Sequence, residues 1–360
     1  MARVYNFSAG PSMLPESVLK KAQADLFDYQ GSGQSVMEMS HRSKVYEEII
    51  FGAEKLFRKV YNVPDNYKIL FLQGGASTQF SAIPLNLLGK SGKADYVVTG
   101  QFATKAYQEA QKYGEIRLVA SSKDKTFSYI PELTRADFDQ EADYAYICFN
   151  NTIFGTKFPY IPDTGDVPLV ADISSCMISE PLDISKFGVV YGGAQKNVAP
   201  AGLTIAIIRE DLLGKSAEST PVMLDWKTQA ENDSMYNTPP CWSIYVCKLV
   251  LEWIEELGGL EVLAEINRKK AAKLYDFLDS SKLFSNPVRK QDRSIMNVTF
   301  VAATDELNAK FVKEAAESGF VNLKGHRSVG GMRASIYNAM PSEGVDKLVE
   351  FMKNFEEANS

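Results

Sequence analysis

Histidine is the scarcest chemically informative residue in this chain: two among 360, His41 and His326. That excludes a histidine-rich metal centre. Cysteine is nearly as scarce. Cys148, Cys176, Cys241 and Cys247 form no C-x-x-C pair and no zinc spacing, and each sits in an apolar context. They read as buried free thiols in a reducing cytosol, so no metal is expected. No apolar run approaches the roughly 18 residues of a membrane span, and Met1-Ala2-Arg3-Val4-Tyr5-Asn6 lacks the apolar core of a signal peptide. Positive charge is not in excess. Lys+Arg 39 against Asp+Glu 45 leaves −6, which argues against nucleic acid or an anionic membrane as partner. The chain also has no internal repeat and no low-complexity tract. What remains is a cytoplasmic, metal-independent protein with ordinary globular composition, 45% hydrophobic and 23% charged. Its length suffices for a large core and, by the usual prior, for two domains.

In chain order, Tyr5 to Pro15 contains Ser8-Ala9-Gly10-Pro11 and reads as an extended arm, residues 1–15. Leu19, Ala22, Leu26 and Phe27 recur at helical spacing, predicting a helix over about 16–29. A loop holding His41-Arg42 and a helix over about 44–61 follow. Short apolar strands are expected near 69–72, 96–99, 116–120, 145–149, 169–171, 189–191 and 203–208, with helical stretches between several of them. Such alternation implies a mostly parallel seven-stranded sheet covered on both faces, an α/β fold. The last strand should lie antiparallel, because only a short link separates it from its predecessor. Residues 225–240 read as irregular, and helices are expected near 241–257 and 260–279. Residues 16–257 would then form the large domain and 258–360 a smaller α+β domain.

Chemistry concentrates after the strand at 189–191. Gly192-Gly193-Ala194-Gln195-Lys196 ends it, and Pro168-Leu169-Val170-Ala171 delivers Asp172 twenty-four residues before Lys196. Neighbouring strands would bring an acid and an amine to the edge where α/β sheets bind ligands. An amine held there loses its proton more readily and can attack a carbonyl. An acid one strand away can pair with the ring nitrogen of a pyridoxal cofactor. Taken singly, Lys196 is a solvated strand-end lysine and Asp172 a helix cap. Gly74-Gly75-Ala76-Ser77-Thr78, between a strand and a helix, suits a phosphate cradle, although any tight turn of this kind favours glycine. Both histidines stand in the same tripeptide, His41-Arg42-Ser43 and His326-Arg327-Ser328. These are either two hooks for anions or two capping loops. Arg333, flanked by Met332 and Ala334, suits a carboxylate.

Asn6-Phe7-Ser8-Ala9-Gly10-Pro11-Ser12-Met13-Leu14-Pro15, Met39-Ser40-His41-Arg42-Ser43, Gln73-Gly74-Gly75-Ala76, Ala194-Gln195-Lys196-Asn197, Asn237-Thr238-Pro239 and Gly325-His326-Arg327-Ser328-Val329-Gly330-Gly331-Met332-Arg333 together resemble the phosphoserine aminotransferases. The resemblance runs from the arm to the last helix. It implies the fold-type I architecture of pyridoxal-phosphate enzymes and a homodimer with shared active sites. The implied reaction moves the amino group of L-glutamate to 3-phosphohydroxypyruvate by a ping-pong Schiff-base mechanism on Lys196, serving serine biosynthesis. Asp172 is implied as the ring-nitrogen partner, and Ala76, Ser77 and Gln195 as holders of the cofactor phosphate. Asn237 and Thr238 are implied to reach that phosphate from the other subunit. Thr152 would bond the cofactor's phenolic oxygen. Phe102 would stack on the ring where many members carry tryptophan, and Ser77 stands where some carry arginine. Ser8 and Arg42 would contact the amino-acid substrate and Arg333 its α-carboxylate. His41, Arg42, His326 and Arg327 would recognise the distal phosphate or carboxylate.

Other readings are another fold-type I aminotransferase acting on a small amino acid, a cysteine desulfurase, or a cofactor-binding regulator without turnover. The first has no use for two His-Arg hooks, and the second needs a reactive loop cysteine. Retention of both Lys196 and Asp172 argues against the third. The pathway-related 3-hydroxy-2-oxo-4-phosphooxybutanoate of vitamin B6 biosynthesis is a possible further substrate.

Overall fold

The structure, a computed structural model, describes residues 3–359. Met1, Ala2 and Ser360, the outermost residues of the expected arm and smaller domain, lie outside the described residues. The chain runs β1 (Tyr5–Asn6), α1 (Glu16–Ala24), α2 (Lys44–Val60), β2 (Tyr67–Leu72), α3 (Gly75–Leu87), β3 (Lys93–Val98), α4 (Gln101–Ala110), β4 (Glu115–Ser121) and β5 (Tyr144–Cys148). A small ribbon follows, β6 (Asn150–Asn151) and β7 (Thr156–Lys157), then β8 (Leu169–Asp172), β9 (Val189–Gly193), β10 (Thr204–Arg209), α5 (Trp226–Glu231) and α6 (Cys241–Glu256). The last part comprises α7 (Leu260–Ser280), β11 (Phe284–Ser285), β12 (Asn297–Ala302), α8 (Asp305–Glu317), β13 (Phe320–Val321), β14 (Met332–Ser335) and α9 (Ser342–Asn359).

Seven strands form the main sheet in the order β2-β10-β9-β8-β5-β3-β4. Only β10 runs against its neighbours, pairing antiparallel with both β2 and β9. Successive strand residues point to opposite faces, and both faces are buried. Ile69 and Phe71 join a core with α2 and α6, while Leu70 and Leu72 join a second core containing Phe80, Ile83 and Trp226. This two-sided burial explains why the strands read as continuous apolar runs.

A separate core lies around β12 and β14, built from α7, α8 and α9. Helix α7 passes between cores: Leu260 and Leu263 pack with α2 and α6, whereas Leu274 and Leu278 pack with Phe284 and Phe300. The arm is tied to this second region. Strand β1 pairs in parallel with β13, Tyr5 opposite Phe320, and Phe7 is fully buried there.

Three expectations are revised. The first helix ends at Ala24 rather than near Tyr29, because Phe27 is 91% exposed and nothing packs its periodic position into the core. The Asp28 carboxylate instead accepts from Gly33 N at 2.7 Å. Residues 225–240 are not wholly irregular: Asp225 caps α5, accepting from Lys227 N and Thr228 N. The thiols are free, but Cys241 is half-buried rather than buried. No helix among the described residues is long and apolar enough to cross a membrane.

Candidate active site

Strands β8 and β9 pair in parallel with Asp172 opposite Tyr191. The chain therefore leaves both strands at the same edge. Gly192 permits the close approach: a Cβ there would stand 2.8 Å from Ser174 Cα and 3.0 Å from Ser174 N, both backbone atoms. Any side chain would push the Asp172 loop away from the Lys196 turn. Five strands deliver residues to this edge, and one cavity of about 150 Å3 is lined by Ala76 and Ser77 after β2, Phe102 after β3, Thr152 after β5, Asp172 on β8, and Gln195 and Lys196 after β9.

Lys196 is 9% exposed. Its Nζ donates to Thr152 Oγ1 at 2.6 Å and lies 5.4 Å from the centroid of the Phe102 ring. Burial pushes the ammonium below its ordinary proton affinity, opposed by the charge of Asp172. Asp172 is 4% exposed, and its Oδ1 accepts from Ser174 N at 2.9 Å and Ser174 Oγ at 2.6 Å. Its Oδ2 has no partner among the described residues. Helix α3 starts at Gly75, beyond a left-handed Gly74, with no acid in its first turn. Its first N–H groups thus face the cavity without a competing anion.

The arm crosses directly above. A Cβ on Gly10 would stand 3.3 Å from Lys196 Cγ. Ser12 N donates to Gln195 O at 3.0 Å, and Ser12 Oγ donates to Lys196 O. Arg333 enters from β14, where its Nη1 donates to Thr152 O at 3.3 Å and its Nε is buried without a partner. In the loop before β14, His326 Nδ1 accepts from Ser328 N at 3.3 Å and pairs with Ser328 Oγ at 2.7 Å. Burial, then the charges of Arg333, Arg327 and Lys105, hold His326 below the usual histidine value. Arg333, Arg327 and Lys105, whose charges reach His326, make no ion pair among the described residues, and none of the three is part of the cavity lining.

Not every expected residue converges here. Ser8 lies in the arm, with its N–H on Asn6 Oδ1 and its Oγ accepting from Gly10 N. His41, with Nε2 buried and unpartnered, and the exposed Arg42 do not line the cavity. Asn237 and Thr238 are exposed and meet Gln73 instead: Gln73 Nε2 reaches Asn237 Oδ1 at 3.3 Å and Thr238 O at 2.8 Å. Sequence reasoning missed Cys148, which lines the cavity. It also missed the buried asparagines beneath Thr152. Asn150 Nδ2 donates to Ser175 Oγ at 2.7 Å and to Asn297 Oδ1 at 2.9 Å. The only sequence sign was the pair Asn150-Asn151 beside an apolar strand.

Residues 4–348 match the pattern of the class-V aminotransferases. A phosphoserine aminotransferase of Bacillus cereus is 56% identical over 359 residues, 100% of each chain. The chain belongs to the phosphoserine aminotransferase family. Among solved structures, the phosphoserine aminotransferase of Bacillus circulans subsp. alkalophilus superposes with a TM-score of 0.97 at 47% identity, covering 99% of each chain. The PLP-bound phosphoserine aminotransferase of Trichomonas vaginalis gives 0.93 at 39% identity, covering 98% of this chain and 100% of its own. The fold is thus that of the fold-type I aminotransferases.

Proposed function

We propose that this aminotransferase passes the amino group of L-glutamate to 3-phosphohydroxypyruvate, giving O-phospho-L-serine and 2-oxoglutarate, with pyridoxal phosphate bound in the cavity described. The observation that carries this reading is the buried Lys196 amine beside Asp172, at the mouth of an acid-free helix N-terminus. These residues fit the cofactor. The N–H groups of Ala76 and Ser77 and the Gln195 side chain suit its phosphate, Asp172 Oδ2 its ring nitrogen, Phe102 its ring face and Thr152 Oγ1 its phenolic oxygen. When bound, pyridoxal phosphate supplies the electron sink that makes the substrate's α-proton acidic.

The chain's own residues do the rest. Desolvation lowers the proton affinity of Lys196 Nζ, which suits it to take the proton from the substrate's α-carbon and return it. Thr152 Oγ1 holds that nitrogen in place. The two bonds from Ser174 fix the plane of the Asp172 carboxylate. Arg333, with a buried nitrogen lacking a partner, suits the α-carboxylate that both substrates carry. His326 and Arg327 suit a distal anion. Amino donor and keto-acid acceptor use one site in turn, so the kinetics would be ping-pong. The unpaired cations favour this reading over a transaminase of small amino acids. The same cations suit the phosphorylated keto acid of the vitamin B6 route, and turnover of that compound with glutamate is the measurement that checks it.

The remaining residues belong to a partner in this reading. His41, Arg42, Asn237 and Thr238 do not line the cavity of their own chain, and Phe27, Met37, Phe51 and Tyr236 are large exposed apolar side chains near them in sequence. A second copy would cover such side chains and bring those four residues to a shared site in a homodimer. The same proposal divides the chain into the arm 1–15, a cofactor-binding domain 16–257 and a smaller domain 258–360, and places the protein in the cytoplasm. The test is borohydride reduction of the holoenzyme followed by peptide mapping. Label on Lys196 and glutamate-dependent turnover of 3-phosphohydroxypyruvate are expected. Label on another lysine would sink the proposal.

A further inference from the structure

The cations expected to select a phosphorylated substrate were His41, Arg42, His326 and Arg327. The structure adds another. Helix α4 leaves the ligand edge of the sheet at Gln101, so its first turn borders the cavity. Phe102 and Lys105, three residues apart, share a face of that helix. Lys105 Nζ lies 5.9 Å from the centroid of the Phe102 ring, the ring that Lys196 Nζ approaches to 5.4 Å. Val329, in the same loop as His326 and Arg327, packs against a buried cluster that contains Ala103 of this helix, and Phe102 and Tyr107 of the helix pack against that cluster as well.

Lys105 also lacks the partner its helix could have supplied. Glu109 stands one turn further on, but its carboxylate accepts from Lys112 Nζ at 2.6 Å, Ser81 Oγ at 2.9 Å and Tyr113 OH at 3.2 Å. No carboxylate pairs with Lys105 among the described residues, in a chain whose acids outnumber its bases. Proximity to the loop is visible in the proton affinity of His326, which the Lys105 charge helps to lower. An unpaired ammonium whose charge reaches His326 together with those of the unpaired Arg333 and Arg327 adds to a positive field that attracts a multivalent anion.

Building on the reading of the site as one for a phosphorylated keto acid, we propose that Lys105 is a specificity-determining residue. Its ammonium closes the lip of the distal-anion site and favours a dianionic phosphate over an uncharged hydroxyl. The group is exposed, so its effect is screened by solvent and is smaller than that of a buried guanidinium. A loss of about 3- to 10-fold in selectivity is the expected scale.

The test uses the holoenzyme. Lys105→Met keeps an apolar stem over Phe102 and removes the charge, while Lys105→Arg keeps the charge. Two quantities are read: the ratio of kcat/KM for 3-phosphohydroxypyruvate over hydroxypyruvate, and the dissociation constant of inorganic phosphate by calorimetry. In Lys105→Met the ratio should fall about 3- to 10-fold through KM, with kcat for the phosphorylated acid nearly unchanged and phosphate binding weakened. Lys105→Arg should restore both. An unchanged ratio in Lys105→Met, or an equal loss on both substrates, overturns the proposal. So does a failure of Lys105→Arg to restore the ratio. Arg327→Ala separates this from the underlying reading: if it lowers the ratio while Lys105→Met does not, only Lys105 is misassigned. If neither variant moves it, the reading of the site as phosphate-selective fails with it.

Discussion

Lys270 is wholly buried in α7, yet it has no carboxylate partner among the described residues. Its Nζ instead lies within hydrogen-bond distance of four backbone carbonyl oxygens, those of Ile336 at 3.1 Å, Tyr337 at 2.8 Å, Asn338 at 3.4 Å and Met340 at 3.0 Å, which share its three N–H donors. The segment so held borders the site. Asn338 N donates to Asn197 Oδ1 at 3.0 Å, next to Lys196, and Tyr337 OH donates to Ala9 O at 2.8 Å in the arm. Burial pushes the ammonium from 10.5 down to about 7. Between those values the unfolded chain holds a proton that the folded chain has lost. Stability therefore rises with pH through that window. The burden of the buried charge is fully present below about pH 7 and gone above 10.5. At 1.36 kcal/mol per pH unit the full gain is on the order of 5 kcal/mol. The carbonyl ring favours the charged form and reduces that figure. Lys270→Met has no such titration. Chemical denaturation of both proteins at a series of pH values should show the wild type gaining on the variant from pH 7 to 10.5. Comparing the pair cancels the tyrosines and other lysines that titrate alkaline. A constant gap would refute the reasoning, because the carbonyl ring would then have cancelled the effect of burial.

Asp172→Asn preserves the shape of the carboxylate but not its charge. We expect turnover to fall at least about 100-fold while the cofactor still absorbs in the bound protein, and loss of binding instead would mean that Asp172 acts mainly as an anchor. Gly192→Ala drives a Cβ against the backbone of Ser174. It should cost about 1–3 kcal/mol and lower kcat, and thermal melting unchanged from wild type would show that the loop yields freely. Subunit exchange between Lys196→Ala and Thr238→Arg chains should regenerate activity, because one site of each hybrid then draws Lys196 from one chain and Thr238 from the other, both at unmutated positions. Persistent inactivity despite demonstrated exchange would count against a shared site.

Much of this site was legible before any coordinates. Asp172 and Lys196 each end an apolar run, and an apolar run between turns has few ways to sit other than as a buried strand. Adjacency of those strands followed from their order and from the glycines at the exit of the second. The antiparallel β10 followed from the shortness of its link. Helix ends were less legible. The periodic pattern continued through Leu26 and Phe27, and only the absence of a surface to receive Phe27 ended α1 at Ala24.

What the sequence determined by itself was local and chemical: strand and helix periodicity, the amine, the acid, the glycine turn and the two His-Arg tripeptides. Each depends on residues within one or two turns of chain. Tertiary structure decided every relation spanning more. It paired the arm with β13, laid Gly10 over Lys196, and set Asn150 against Asn297. It also brought the charge of Lys105 within reach of His326 and surrounded Lys270 with carbonyls. No pattern in the chain announces these contacts, because burial and proximity are properties of the packed whole. The lowered proton affinity of Lys196 is of that kind: the sequence supplies the lysine, and only the fold removes the water around it.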